Sequence, residues 1–485
     1  MTQEQKPAIL WFRQDLRVDD HPALHAAAAN GRAVQPVFIL DDAAEAEWAA
    51  GGAGRWWLHH SLAALERQLG ELGVTLLLMR GAAADVLVAL AREVGAGSVH
   101  CSRRFEPAGT AQEERVRTAL AKIDVSFAAH AGALLHDPHA LRTGTGVPYK
   151  VYSPFAKSLR AKTVIGDPLA APRMLRSVPR SPKGTKLESL DLLPRIDWAG
   201  IMRTRWTPGE RGAQRRLAAF IAGPVQSYGE ARDFPAQDGS SSLSPHMHWG
   251  ELSPRRVWNE VSRSGAGKSS GASKFLAEIL WREFAAHVLL NFPSTATKPL
   301  RPEFAKFPWK PSTAHLRAWQ RGQTGYPIVD AGMRQLWATG WMHNRVRMIV
   351  ASFLVKHLLQ SWEEGAKWFW DTLCDADLAS NTLGWQWSAG CGADAAPYFR
   401  IFNPILQGEK FDPNGDFVRT WVPELAKVPS EFIHQPWEAP PMVLASSGVV
   451  LGESYPQPIV DHPTARDRAL AALQRISGAK SAARD

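Results

Sequence analysis

The sequence predicts an α/β domain on a doubly wound parallel sheet, followed by a larger all-α domain. Three observations carry this reading. Short apolar runs alternate with helix-spaced segments from residue 8 to about 130. A basic, proline-rich stretch breaks that rhythm between about 135 and 215. From about 215 to 430 the apolar spacing is helical and strand-like runs are absent.

The first strand is expected at Ala8–Phe12. Pro22 then opens an Ala-rich helix that Asn30-Gly31 closes. Strands follow at Val34–Leu40, Val74–Met79, Ser98–Cys101 and Val125–Phe127. Between them Arg55–Leu72, Ala84–Val94 and Ala111–Ile123 read as helices. Such sheets bind ligands at the carboxyl ends of their strands. Pro138, Pro148, Pro154, Pro168, Pro172, Pro179, Pro182 and Pro194 make long elements improbable in the next stretch, which reads as a surface connector. Beyond it, Ser273–Leu290, Ile328–Trp337, His343–Leu359 and Glu363–Leu373 carry apolar residues at three and four spacing. The expected segments are 1–134, 135–214 and 215–485.

Composition bounds the function. With 45% hydrophobic and 21% charged residues, the 485-residue chain is globular, neither disordered nor fibrous. No apolar run spans a membrane, and the polar start Met1–Pro7 lacks the pattern of a secretory signal, so a cytoplasmic protein is expected. Cys101, Cys374 and Cys391 make neither a disulfide framework nor a CxxC zinc pair. The formal charge is +9. Residues 157–216 alone hold 14 Lys/Arg against 5 Asp/Glu, which fits either a solvated linker or a polyanion partner. There are 20 Trp against 19 Phe and 6 Tyr. That excess suits a Trp-rich core, or indoles that stack on bases or carry electrons.

The motifs sort into decoys and candidates. Gly265-Ala266-Gly267-Lys268-Ser269 lacks the first glycine and the preceding strand of a phosphate-binding loop. No GxGxxG follows Ala8–Phe12, so a nicotinamide site is unsupported; Asp15 and Arg17 there read as a salt-bridged loop. Asp238-Gly239-Ser240-Ser241-Ser242-Leu243-Ser244 offers hydroxyl and amide donors at a helix entrance, as a phosphate cradle or an ordinary cap would. Glu278, Trp281 and Arg282 fall on one helical face, either a binding face or an ion-paired amphipathic one. Asp375 and Asp377, two apart, suggest a metal site or a pair for acid–base work, but few further oxygen ligands lie nearby and Arg347 is a counter-ion candidate, so recognition of an uncharged donor-rich ring is as good a reading. No metal site is expected.

Taken together, Trp11-Phe12-Arg13-Gln14-Asp15-Leu16-Arg17, Trp281-Arg282-Glu283-Phe284, Gly325-Tyr326-Pro327-Ile328-Val329-Asp330-Ala331-Gly332-Met333-Arg334, Met342-His343-Asn344-Arg345 and Asn403-Pro404-Ile405-Leu406-Gln407-Gly408-Glu409-Lys410-Phe411 resemble the photolyase/cryptochrome family along nearly the whole chain. Arg55-Trp56-Trp57-Leu58-His59-His60-Ser61-Leu62 and the connector look closest to the bacterial class III cyclobutane-pyrimidine-dimer photolyases.

The resemblance implies FAD held in the helical domain. Tyr228 and the run Ser240, Ser241, Ser242, Leu243 and Ser244 would meet its phosphates, with Ser242 where many relatives have Arg. Arg347, paired with Asp375, would lie by the isoalloxazine, Asp377 would accept from the ring edge, and Asn381 would face flavin nitrogen five. Trp385, then Trp362, then Trp309 match the family's electron-transfer chain, with Trp368 a candidate for a branch. Glu278, Trp281, Asn344, Met348 and Trp387 would line the cavity for a flipped pyrimidine dimer, and Arg232, Arg345 and Gln407 would hold the DNA backbone. Plant cryptochromes usually have Asp, and insect ones Cys, where Asn381 stands; the (6-4) enzymes usually have a His pair at Asn344 and Met348.

The implied reaction is light-driven repair of cyclobutane dimers in ultraviolet-damaged DNA, an electron passing from excited reduced FAD to the dimer and back. The implied antenna on the N-terminal sheet is 5,10-methenyltetrahydrofolate, although Arg104-Phe105-Glu106-Pro107 leads to Ala108-Gly109 rather than the Asn-Glu pair of many folate-binding class I relatives. A monomer is expected. Two other readings compete: a cryptochrome-type blue-light photoreceptor, which predicts a long C-terminal extension and Asp at position 381, and a nucleic-acid-binding flavoprotein without catalysis, which predicts damage to the Trp chain or to Glu278 and Trp281.

Overall fold

The computed structural model describes residues 6–180, 182–395 and 399–481. The chain divides into two compact units. The first comprises residues 1–226, 241–293 and 374–378, and the second comprises 227–240, 294–373 and 379–485. These boundaries differ from the segments read off composition, because the chain crosses between the units several times.

The first unit is built on a parallel sheet of β1 (Ala8–Phe12), β2 (Ala33–Leu40), β3 (Leu77–Arg80), β4 (Ser98–Ser102) and β5 (Ser126–His130), in the order β3-β2-β1-β4-β5. Every residue of β1 and β2 is buried, as expected for strands covered on both faces. Ile9, Trp11, Val37 and Val99 pack with Leu87 and Leu90 of α1 (Ala83–Val94) and with Val116 and Leu120 of α2 (Pro107–Ala121). The third strand lies three residues later than its apolar run suggested. Val74 and Leu76 are buried without pairing in the ladder, so hydrophobicity alone marks burial there, not strand.

The turn after β1 is a structural knot. Arg13 pairs with Glu113 at 2.6 Å, and Asp15 accepts from the Arg13 amide and lies 3.1 Å from His21. Arg17 binds the carbonyls of Gly132 and Gly250 instead of a carboxylate side chain, which corrects the salt-bridged-loop reading for that residue.

The proline-rich stretch is more ordered than its composition suggested. It holds an eleven-residue helix, α3 (Tyr152–Lys162), and a two-residue strand, Arg176–Ser177, that pairs with β2. Pro154 falls in the first turn of α3, where a missing N–H costs nothing. The stretch also docks on α4 (Ser270–Asn291). The Leu135 amide and His136 both bind the fully buried Glu283 carboxylate. His287 accepts from the Tyr149 amide and meets the Pro138 carbonyl through its other nitrogen.

The second unit is helical. It includes α5 (Pro327–Thr339), α6 (Asn344–Ser352), α7 (Trp362–Thr372), α8 (Leu378–Ala389, apart from its first residue) and α9 (His462–Ser481). The single helix expected over His343–Leu359 is instead α6 followed by a π-helical turn, Phe353–His357. His462 of α9 meets His357 at 2.8 Å, and Arg468 donates to the His357 carbonyl.

Burial keeps several imidazoles neutral. It pushes His100, His287 and His343 down to about 4 and His357 down to about 3. It also raises the carboxyls of Asp330 and Asp412 to about 6. Between about pH 6.5 and 4 the unfolded chain binds more protons at the four imidazoles, so stability falls as pH falls. The two carboxyls act in the opposite sense below about pH 6, but four sites outweigh two. The melting temperature is therefore expected to be lower at pH 5 than at pH 7. A thermal scan that found equal or greater stability at pH 5 would contradict this.

Candidate functional site

In the first unit, Glu278 and Trp281 project from α4, both half-buried. The Trp281 indole stacks on Tyr152 with centroids 3.8 Å apart and planes 4° from parallel. Phe284 meets its edge at 5.8 Å. The Arg282 guanidinium donates to the Ala133 carbonyl at 2.7 Å, so it holds the connector.

The hydroxyl run bends where a phosphate cradle would. Ser242 is buried and takes a left-handed φ of 48°, and the Ser241 hydroxyl accepts from the Leu243 amide. A short helix then begins at Ser244. Asp375 is buried and Asp377 half-buried, on a segment held by the Trp249 indole N–H donating to the Cys374 carbonyl at 3.0 Å. Burial lowers the basicity of His248, against the pull of Asp377 and then Asp375. The buried Nδ1 of His248 has no hydrogen-bond partner among the described residues. An unsatisfied ring nitrogen near two carboxylates is a donor set suited to a planar ring with both N–H and carbonyl groups on its edge, which is what a flavin presents.

In the second unit, buried Tyr228 carries the Arg232 guanidinium 5.3 Å over its ring. Arg345 pairs with Asp233 at 2.8 Å, lies 4.3 Å over Phe411 and comes within 4.0 Å of the Met348 sulfur. Arg347 donates to the Met342 carbonyl at 2.8 Å. Burial, joined by Arg232, Arg345 and Arg347 and opposed by Asp233, keeps His343 uncharged. Set against the single Asp233 carboxylate, Arg232, Arg345 and Arg347 leave a net positive field at this neutral imidazole, which suits an anion. Asn344 is exposed and Gln407 half-buried.

Trp362 and Trp385 are each 2% exposed, and Trp309 is half-buried with its ring 4.5 Å from Phe307. The Trp385 ring meets Phe369 at 4.9 Å and Trp319 at 6.1 Å. It packs so closely on α7 that a Cβ at Gly365 would come within 2.1 Å of it. Asn381 donates to the Ala366 carbonyl at 3.1 Å, which fixes its amide. Trp387 lines a cavity with Ser352, Lys356, Arg400 and Phe402. The Lys356 amine donates to the Arg400 carbonyl, and burial pushes it down to about 7. The branch candidate Trp368 stacks on exposed Trp337 at 6.0 Å.

Sequence reasoning missed Tyr152, Asp233, Trp319 and Lys356. Each acts through a partner far off in sequence, and Tyr152 lies in the stretch set aside as connector. The aromatic content around Tyr149, Tyr152 and Phe155 was the only available signal.

A six-stranded parallel sheet in one unit, its last strand only two residues long, and a helical second unit carrying arginines and buried tryptophans define a two-part α/β and all-α architecture. Residues 8–173 match the DNA photolyase family, and residues 275–475 match the FAD binding domain of DNA photolyase. The chain is 50% identical over 480 residues to a deoxyribodipyrimidine photo-lyase of Agrobacterium fabrum, covering 98% of this chain and 99% of that one. It is 38% identical to cryptochrome-2 of Arabidopsis thaliana over 98% of this chain and 80% of that one. A crystal structure of a bacterial class III photolyase from Agrobacterium tumefaciens superposes with a TM-score of 0.95 at 48% identity, covering 99% of each chain. The chain belongs to the DNA photolyase family, and its cofactor is FAD. No helix among the described residues is long and apolar enough to cross a membrane.

Proposed function

We propose that this protein repairs cyclobutane pyrimidine dimers in ultraviolet-damaged DNA under blue light. The observation that carries the reading is the full-length match to the Agrobacterium photo-lyase, at 50% identity over 98% of this chain. Bound and reduced, FAD supplies the light-driven electron. Tyr228, Ser240, Ser241, Ser242, Leu243 and Ser244 hold its phosphates, and Arg347, Asp375 and Asp377 hold its ring. Asn381 meets flavin nitrogen five. One N–H of its amide is held by the Ala366 carbonyl, which orients the side chain, and its oxygen would accept from the N–H of a reduced ring.

The roles assigned are stacking on the flipped dimer for Trp281 and for Trp387, a hydrogen bond to its pyrimidine edge for Glu278, and lesion contacts for Asn344 and Met348. Arg232, Arg345 and Gln407 take the phosphate backbone. The Asp233 partner of Arg345 supports this by holding the guanidinium in a fixed orientation. Trp309, Trp362 and Trp385 relay electrons to the flavin. Residues 1–134 carry a 5,10-methenyltetrahydrofolate antenna, 135–214 connect, and 215–485 form the catalytic part. Likeness to class III photolyases is the support for that antenna. The protein acts as a cytoplasmic monomer.

The test is repair of ultraviolet-treated oligothymidylate by reduced protein. Thymine absorbance is expected to recover in blue light and not in darkness. A cryptochrome-type photoreceptor is the second reading, favoured by the 38% identity to cryptochrome-2. Lack of recovery with flavin bound and reduced would remove the repair reading and leave the photoreceptor.

A further inference from the structure

We infer that Tyr152 is a positioning residue for lesion recognition: it sets the plane of the Trp281 indole from the proline-rich stretch. The inference rests on the proposed stacking of Trp281 against the flipped dimer. Recognition by stacking needs a ring already held in the right plane, since ordering an indole on binding costs rotamer freedom. Tyr152 lies face to face with Trp281 at 3.8 Å and 4°, which removes that freedom beforehand. Its hydroxyl donates to the Ala277 carbonyl at 2.8 Å. Ala277 is four residues before Trp281, so its carbonyl is the one that faces the Trp281 amide within the helix. One side chain therefore grips both the indole face and the helical turn beneath it.

Tyr152 is itself anchored. It opens α3, whose Phe155 is fully buried and packs on the fully buried Phe284 of α4 at 5.3 Å. Phe284 also closes the edges of both rings, at 6.0 Å from Tyr152 and 5.8 Å from Trp281. Trp281 remains half-buried, so part of its surface stays accessible for a base. A leucine at position 152 would fill space without presenting a flat face.

The experiment measures binding of the flavin-loaded protein to oligothymidylate with one cyclobutane dimer and to the undamaged oligonucleotide. Tyr152→Leu is expected to weaken dimer binding by about three- to tenfold, the range of one aromatic pair, with undamaged binding unchanged. Tyr152→Phe, which keeps the face and loses only the hydroxyl bond, should recover most of the discrimination. Tyr152→Met answers the same question should the leucine variant lose flavin. Wild-type discrimination in the leucine or methionine variant overturns the inference, as does equal weakening toward both oligonucleotides. Trp281→Ala separates the two claims. If it binds the dimer normally, the stacking role of Trp281 falls and takes this inference with it. If it binds poorly while Tyr152→Leu binds normally, the inference alone falls.

Discussion

Trp385→Phe is expected to keep its FAD and lose light-driven reduction of that flavin. Trp385 is 2% exposed, wedged between Phe369, Trp319 and the backbone of Gly365. Phenylalanine fits that slot with a small void, so folding and flavin binding should survive. It is, however, much harder to oxidise than indole. Photoreduction by an external donor should slow by about tenfold or more, a factor that a barrier increase of only ~1.4 kcal/mol already produces. Protein reduced chemically beforehand should repair dimers as the wild type does, because the relay is then bypassed. Photoreduction at the wild-type rate would remove Trp385 from the relay. The glycine at 365 belongs to the same argument. Any side chain there collides with the indole, so Gly365→Ala should displace Trp385 and cost about 1–3 kcal/mol of stability by overpacking.

Asp330→Ala should have the larger effect on stability. The carboxylate is fully buried and accepts from the Thr324 amide and hydroxyl, the Gly325 amide and the Tyr455 hydroxyl. It thereby ties the turn before α5 to the chain near residue 455. Gly325 sits in that turn with φ +79°, and a Cβ on it would strike the backbone of Gln457. Removing the carboxylate strands several buried donors at once and should cost about 3–5 kcal/mol, as breaking a buried polar network does. Chemical denaturation measures this directly. A loss below about 1 kcal/mol, the worth of one ordinary hydrogen bond, would show that water or a shifted side chain takes over those donors. The role of Asp330 also explains part of the family motif around Gly325–Arg334: it is there to close a turn.

The parallel sheet was legible because strands covered on both faces read as continuous apolar runs, as Ala8–Phe12 does. Helices in the second unit were legible from their spacing, with ends shifted by a few residues where caps and not hydrophobicity set the boundary. The break in His343–Leu359 was not legible, since a π-helical turn keeps the same apolar content. Reading the proline-rich stretch as a surface connector missed its docking on α4. Glu283 and His287 hold that stretch through backbone amides and carbonyls, and backbone groups leave no mark in a sequence.

The candidate site divides in the same way. Trp281 was placed with Glu278 and Arg282 on one helical face by spacing, whereas Asn381 and Trp385 gained their roles only through the resemblance that the order of motifs bears to one family. What the sequence by itself determined is therefore the class of fold, the family and the roster of chemically able side chains, since these follow from composition, periodicity and motif order. Tertiary structure alone decided which partner fixes each of them: Tyr152 behind Trp281, Ala366 on Asn381, Asp233 on Arg345, Gly365 beneath Trp385. Those pairings depend on angles and distances between residues from 15 to more than 100 positions apart, and only the packed chain brings them within range of a hydrogen bond or a stacked ring.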